Sequence, residues 1–497
     1  MRARVALLMA GVLLTAACGS GDSILRAGRE PVQSTVAPST LPGETTLPPT
    51  TQPTLLDTLP QCKPEALDAA AASGPVEITF WHGLSNELGR ELERITNEFN
   101  ASQSRVRVNL QFQGGYEQNI DKYLQSTTEN RPDLVQMPEY TVQLMVDTKS
   151  TVPAGACMEA TGYDTTDFLQ SGLDYYATEG VQWAMPFNIS NPVLYYNKKM
   201  FEAAGLDPED PPATLAEVSA AGLAIQQSGA GGYGIALDSA PDGGGGWALE
   251  QWMAKEGAFY SDNGNGRVAP STRVLFDGDV GVELMTELRD VVQAGGGVFV
   301  GENPGGQDNL LKLADATSPA AMTIATSAAL GPVLQFVEGG IIPGVTVDDM
   351  GVAPMPSPGG QIGALVGGAA LWIVADRGDA KAAAAWEYVQ HLLSPEIQSQ
   401  WAAATGYVPV RQQALDFDPI KTKYADDPRF KVAYDQLLAG DNLPEFTGPV
   451  LGPLREVRVV AAGAMTQVFN GADPAQALAE AAEQANALIA DYNSRRT

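Results

Sequence analysis

The chain has 497 residues, 44% of them apolar, which is enough for two or three domains with sizeable cores. Its formal net charge is -29, with 59 acidic against 30 basic side chains. That balance excludes nucleic acid as a partner, because phosphate backbones are held by surplus Lys and Arg. With two histidines, three cysteines and no CxxC or Cys/His spacing, the chain offers no zinc ligand set and implies neither metal nor cofactor.

Arg2 and Arg4 precede an apolar run from Val5 to Leu14, too short to span a bilayer but of the length of a signal-peptide core. Thr15-Ala16-Ala17-Cys18 follows and resembles a bacterial lipobox, with Thr15 at a position more often Leu. That reading makes residues 1–18 a lipoprotein signal and Cys18 a diacylated anchor, holding an exported protein on the outer face of the cell membrane. The alternative is a plain secretory signal with a stray Cys18. Residues 19–65 are rich in Pro, Thr, Ser and Gly and cannot bury enough apolar surface to offset ordering entropy, so they are expected to form a tether. Cys62 and Cys157 remain. In an exported chain an even pair suggests a disulfide, and two free buried thiols are the alternative.

Folded structure is expected from Val76 to Trp81, whose alternation marks a strand. Leu84, Leu88, Leu92, Ile95 and Phe99 then recur at helical spacing, and Val106, Val108, Leu110 and Phe112 alternate as a second strand. Strand, helix and strand of these lengths imply a parallel pair. Asp133 to Met137 is a third strand, and Pro138, Glu139 and Tyr140 leave its carboxyl end, where open α/β sheets bind ligands. In the stretch Pro186 to Asn197 two prolines fix an extended backbone around polar Asn188, Ser190 and Asn191. It reads either as a hinge with ligand-facing polar atoms or as a loop entering a core strand.

The pattern then restarts. Helices are expected at Leu215 to Gln227 and Trp247 to Glu256, with strands at Tyr233 to Leu237 and Ala320 to Ile324, the last ending at Ala325-Thr326-Ser327. Gly363 to Val374 reads as strand material broken by Gly367-Gly368, followed by a helix from Ala380 to Leu393 and a turn at Thr405 to Pro409. Helices close the chain, one at Leu454 to Phe469 and one opened by Asp473 as cap with Pro474 behind it. Two α/β units with several passages between them imply two lobes around a cleft.

Five short motifs narrow this reading: Phe80-Trp81-His82, Gly115-Tyr116-Glu117-Gln118-Asn119, Pro186-Phe187-Asn188 through Tyr195-Tyr196-Asn197, Gly367-Gly368-Ala369-Ala370-Leu371-Trp372, and Thr405-Gly406-Tyr407-Val408-Pro409. In this order over residues 76–497 the chain resembles the glycerol-3-phosphate/glycerophosphodiester-binding lipoproteins within the sugar-binding group of ABC importers. The resemblance implies a two-lobed α/β periplasmic-binding-protein fold, with lobe 1 from 66–186 and 362–409 and lobe 2 from 187–361 and 410–497. It also implies a non-catalytic monomer that delivers its ligand to permease subunits and their ATPase.

The resemblance further implies ligand contacts at Tyr116, Glu139, Ser190, Thr326, Gly368, Tyr407 and Arg458. Their chemistry agrees: Arg458 offers a planar fork to phosphate, the hydroxyls are neutral donors, and Gly368 admits a backbone N–H where a Cβ would block it. Glu139 has acceptors only, which suits glycerol hydroxyls and keeps the two ends of a small ligand apart. Taken alone, an arginine on a helix is ordinarily a solvated charge. Leu215 stands where glycerol-3-phosphate binders carry Trp, which favours a diester such as glycerophosphocholine. Trp247 is a packing residue or a cleft wall. The competing readings are an oligosaccharide receptor, whose sugars would stack on aromatics, and an exported hydrolase, for which neither a nucleophile elbow nor HExxH is present.

Overall fold

The computed structural model describes residues 54–241, 246–303, 306–340, 344–440 and 442–496. The signal, the lipobox cysteine Cys18 and most of the tether lie outside the described residues. The strands are β1 (Val76–His82), β2 (Val106–Phe112), β3 (Leu134–Pro138), β4 (Thr151–Val152), a hairpin of β5 (Ala177–Thr178) and β6 (Val181–Gln182), then β7 (Met185–Ser190), β8 (Pro192–Asn197), β9 (Tyr233–Leu237), β10 (Gly297–Phe299), β11 (Ala320–Thr326), β12 (Met350–Pro354) and β13 (Gly367–Val374).

Two sheets organise them. The first runs β2-β1-β3-β13-β4, with β7 also paired to β13. Its β1 is parallel to both β2 and β3, as the strand, helix, strand pattern requires. The connecting helix, Asn86–Ser102, buries Leu92, Ile95 and Phe99 of the expected stripe, with Leu88 half-buried and Leu84 buried just ahead of the helix. The second sheet runs β10-β9-β11-β8-β12. Here β9 is parallel to β10 and β11, whereas β8 is antiparallel to β11 and β12. The fold is therefore the expected α/β pair of lobes, each with its own sheet.

The passages between lobes differ from the expected boundaries. β7 belongs wholly to the first sheet and β8 to the second, so the chain crosses at Asn191 rather than after residue 186. Both prolines sit inside strands, and the polar residue between the strands is held on all sides. Asn191 donates to the Ala433 carbonyl (2.7 Å), accepts from Gln436 Nε2 (2.8 Å), and its own carbonyl accepts from the Ser327 N–H (2.8 Å). The last passage lies beyond residue 426 rather than at 409/410, because helix Ile420–Asp426 packs on helix Pro395–Thr405 of the first lobe, while helix Val432–Gly440 packs on β8 and β12. Gly367 and Gly368 open β13 rather than breaking a strand.

Folded structure also reaches back before Val76 and into the expected tether. Helix Pro64–Ala71 packs on helix Asp379–Leu392, and Cys62 is bonded to Cys157, with Sγ atoms 2.11 Å and Cα atoms 4.9 Å apart. Low apolar content at 54–65 is overridden by this covalent link. The bridge spans 95 residues of chain, and closing so long a loop stabilises by about 4 to 5 kcal/mol in the chain-entropy picture. Replacing both cysteines by Ala should lower unfolding free energy by an amount of that order in urea titration. Intact-mass measurement of protein from an oxidising compartment should show neither thiol alkylated until a reductant is added.

Candidate ligand-binding site

The carboxyl end of β3 runs into a single turn, Glu139–Thr141, that projects Glu139 from the first lobe. From the second lobe, helix Leu454–Phe469 brings Arg458 and helix Gly246–Lys255 brings Glu250. The three side chains meet in the interior. Arg458 Nε and Nη2 donate to the two Glu250 oxygens at 2.6 and 2.8 Å, and Nη1 donates to Glu139 Oε1 at 2.9 Å. Arg458 and Glu250 are each 1% exposed and Glu139 5%, so the cluster lies out of water. The Arg458 guanidinium also faces the Tyr140 ring at 5.1 Å.

Aromatic hydroxyls surround these charges. Tyr175 and Tyr176 lie within electrostatic reach of Glu139, and Tyr260 within reach of Glu250 and Arg458. All three hydroxyls are buried without a hydrogen-bond partner among the described residues, as is the Trp247 indole N–H. Unpartnered buried polar atoms are costly, and three phenol donors beside one ion cluster are groups that a polar guest would satisfy. Burial pushes all three phenols well above their ordinary range, the carboxylates adding to it, so they stay protonated donors.

A second network orders the first-lobe wall. The Gln136 side chain accepts from the Gly83 N–H (2.9 Å) and donates to Asn188 Oδ1 (2.7 Å), and Asn188 Nδ2 donates to the Tyr116 hydroxyl (2.8 Å). Tyr407 joins Tyr116 and Asn188 through its hydroxyl and stacks on Trp401 at 5.9 Å. The turn carrying Tyr407 is fixed beside β7, since the Val408 N–H donates to the Ile189 carbonyl (2.8 Å).

Sequence reasoning named Tyr116, Glu139, Ser190, Thr326, Gly368, Tyr407 and Arg458, and the structure gathers them on both sides of the Asn191 crossing. Tyr116, Tyr407, Glu139 and Arg458 enter the two networks directly. Ser190 ends β7 opposite Gly367 and is buried. Thr326 ends β11, where its hydroxyl accepts from the Ala328 N–H (3.3 Å) and its carbonyl accepts from the Tyr195 hydroxyl (2.8 Å). Gly368 has φ +92°, and a Cβ there would stand 2.0 Å from the Asn188 carbonyl oxygen, so the neighbouring strand demands glycine irrespective of any ligand.

Two expectations need correction. Glu139 and Arg458 do not stand at opposite ends of a cavity, because they are ion-paired to each other. Leu215 is buried in the second lobe's core at the first turn of helix Leu215–Ser228, its N–H donating to the Ser357 carbonyl (3.1 Å), and none of the cluster's hydrogen bonds or ion pairs reaches it. Sequence reasoning missed Glu250, Tyr175, Tyr176 and Tyr260. The signal for Glu250 was an acid set among Trp247, Leu249, Trp252 and Met253, all of which are buried. Trp247 is buried and packs its ring against Gly367, where an added Cβ would come within 2.3 Å of Cζ2.

Two α/β lobes meeting over a buried polar cluster with unpartnered donors define a binding protein that encloses its ligand. The chain belongs to the bacterial extracellular solute-binding protein family, whose model matches residues 94–432. It is 29% identical over 433 residues to the sn-glycerol-3-phosphate-binding periplasmic protein UgpB of Pectobacterium atrosepticum, covering 85% of this chain and 93% of that one. The Escherichia coli K12 protein of the same name is 28% identical over 426 residues, covering 84% and 93%. Among solved structures, UgpB of Mycobacterium tuberculosis in complex with glycerophosphocholine superposes with a TM-score of 0.68 at 22% identity, over 84% of this chain and all of that one. The cyclic alpha-maltosyl-1,6-maltose binding protein of Arthrobacter globiformis gives 0.67 at 21%, over 84% and 99%.

Burial lifts the Glu139 carboxyl to about 7 from its ordinary value near 4.5, with Arg458 opposing and Glu250 adding. Between these two values the folded protein holds a proton that the unfolded chain has released, so stability falls as pH rises from about 4.5 to about 7. Glu139→Gln removes this dependence. Urea midpoints at pH 5 and pH 7.5 should show the variant gaining on the wild type by an amount on the order of 2 kcal/mol, and an unchanged difference would place Glu139 in contact with solvent.

Proposed function

We propose that the chain is the exported, lipid-anchored receptor of an ABC importer, anchored through Cys18. It captures a small phosphate-bearing polyol by lobe closure and delivers it to a membrane permease without chemical change. The ligand class is glycerophosphodiesters such as glycerophosphocholine, or sn-glycerol-3-phosphate. The observation that carries this reading is the buried cation Arg458 among phenol donors that lack hydrogen-bond partners among the described residues. A guanidinium has five N–H donors, and the three contacts to Glu139 and Glu250 leave two for phosphate oxygens. Ser190, Thr326 and the Gly368 backbone lie near the crossing as further contacts, and Tyr116 and Tyr407 complete the hydroxyl wall. The relatives named for glycerol-3-phosphate and the structural neighbour with glycerophosphocholine support the same class.

One observation favours a second reading, an oligosaccharide receptor: the aromatic side chains around the cluster suit sugar rings, and a sugar-binding protein is a structural neighbour. A thermal-shift series with sugars, polyols and phosphodiesters separates the two, since a ligand of the folded state raises the melting temperature. Incubation with glycerophosphodiesters should release no free alcohol, and turnover would restore the hydrolase reading.

Arg458→Ala is a poor test of phosphate binding, because it strands two buried carboxylates and should cost about 3 to 5 kcal/mol of stability. Arg458→Lys keeps the charge and loses the fork. Calorimetry should show its affinity for glycerophosphocholine reduced by about 30-fold or more, in line with a loss of about 2 kcal/mol or more, and undiminished affinity would remove Arg458 from the site. The same titration checks the ligand preference: the wild type should bind glycerophosphocholine more tightly than glycerol-3-phosphate, and Leu215→Trp, a change within the second lobe's core, should lower stability and leave that gap as it is. A gap that narrows in the variant would return Leu215 to the site.

A further inference from the structure

Glu250 is held in place by the way its helix meets Arg458. Gly246, the first residue of helix Gly246–Lys255, lies so close to the Arg458 backbone that an added Cβ would stand 2.8 Å from both the Arg458 Cβ and its carbonyl oxygen. One turn later on the same helix face comes Glu250. Its carboxylate therefore reaches the guanidinium edge formed by Nε and Nη2 and closes a two-point pair. The contact fixes the guanidinium plane and turns Nη1 towards Glu139 and the first lobe.

It also sets the charge of the chamber. Arg458 contributes one positive charge, Glu250 and an ionised Glu139 two negative ones. Two further arginines stand nearby, and both are engaged elsewhere. Arg455, three residues earlier on the Arg458 helix, pairs with Glu117 and with Asp121 at the rim. Arg267, behind the Tyr175 ring, donates to the carbonyls of Asp174, Tyr175, Ala177, Thr447 and Gly448. The cluster that faces a guest is thus neutral at best and negative when Glu139 ionises.

We infer that Glu250 is a positioning and specificity-determining residue: it aims the Arg458 fork and, by offsetting its charge, makes the site prefer a singly charged phosphodiester over a doubly charged phosphomonoester. The inference rests on the phosphate reading given above. A buried carboxylate repels a ligand in proportion to the ligand's charge, and a monoester carries about 1.5 to 2 negative charges at neutral pH where a diester carries one. Neutralising Glu250 must then help the monoester more, whatever the loss of aim costs both ligands.

The experiment is calorimetric titration at pH 7.5 of glycerophosphocholine and sn-glycerol-3-phosphate into wild type, Glu250→Gln and Glu250→Asp. The expected result is that Glu250→Gln shifts the ratio of the two affinities towards the monoester by about tenfold or more, while Glu250→Asp, which keeps the charge on a shorter arm, weakens both ligands and retains the wild-type ratio. A folded Glu250→Gln with the wild-type ratio overturns the inference and leaves the phosphate reading standing. A wild type that binds neither ligand overturns that reading and this inference with it. If Glu250→Gln does not fold, Glu250→Asp decides alone: a retained ratio with both affinities reduced supports the role, and a shifted ratio overturns it.

Discussion

The buried ion cluster of Glu139, Arg458 and Glu250 is the constraint on which the rest of the site depends. Taking a guanidinium and carboxylates out of water costs several kcal/mol per ion, and the attraction among them repays it only when geometry is good and other donors and acceptors are satisfied. Here the two-point contact to Glu250 lies within the second lobe, whereas the single contact to Glu139 joins the lobes. The cluster is therefore complete only when the first lobe supplies its acid. Closure and electrostatic satisfaction become one event, and in the phosphate reading proposed above the oxygens of a guest would share the Arg458 guanidinium with Glu139.

Around this centre, rigid and adaptable parts are sharply divided. Asn191, at the crossing, has its backbone and side chain held by Ser327, Ala433 and Gln436, so the turn between β7 and β8 is pinned by a helix packed beneath it. Helix Gly246–Lys255 holds the segment that leads from β12 in the second sheet to β13 in the first: Trp252 donates to the Pro356 carbonyl, Gln251 exchanges two hydrogen bonds with the Leu365 backbone, and Lys255 donates to the Gln361 carbonyl. The same helix sets Trp247 against Gly367 and Glu250 against Arg458. At the rim the lobes meet through half-exposed pairs, Arg455 with Glu117 and Asp121, and Tyr492 with Asp147, which solvent screens and which contribute little each.

The fold was legible because its signals are local. Alternation at Val76 to Trp81 and the three- and four-residue spacing of Leu88, Leu92, Ile95 and Phe99 follow from burial on one face, and Asp473 with Pro474 marks a helix start through backbone groups within one turn. The passages between lobes were harder, since the last of them rests on a short helix, Val432–Gly440, whose place is set by partners far away in sequence. The site was half legible. Tyr116, Glu139, Tyr407 and Arg458 were implied by the family resemblance, but their pairing was not, because nothing in a one-dimensional pattern says that an acid after β3 meets an arginine 319 residues later. Glu250 was hidden for a related reason: its helix is buried on every side, which removes the polar face against which an inward acid would stand out.

The bond between Cys62 and Cys157 has a mechanical consequence. Cys157 lies on helix Ala154–Thr161 of the first lobe, so any pull on the chain upstream of Cys62 enters the body through a covalent link in that lobe. On the anchoring proposed above, the lobe that bears Glu139 would be the held jaw and the one that bears Arg458 and Glu250 the jaw free to swing. A pull from the N-terminal side would then enter the first lobe without passing through the Asn191 crossing.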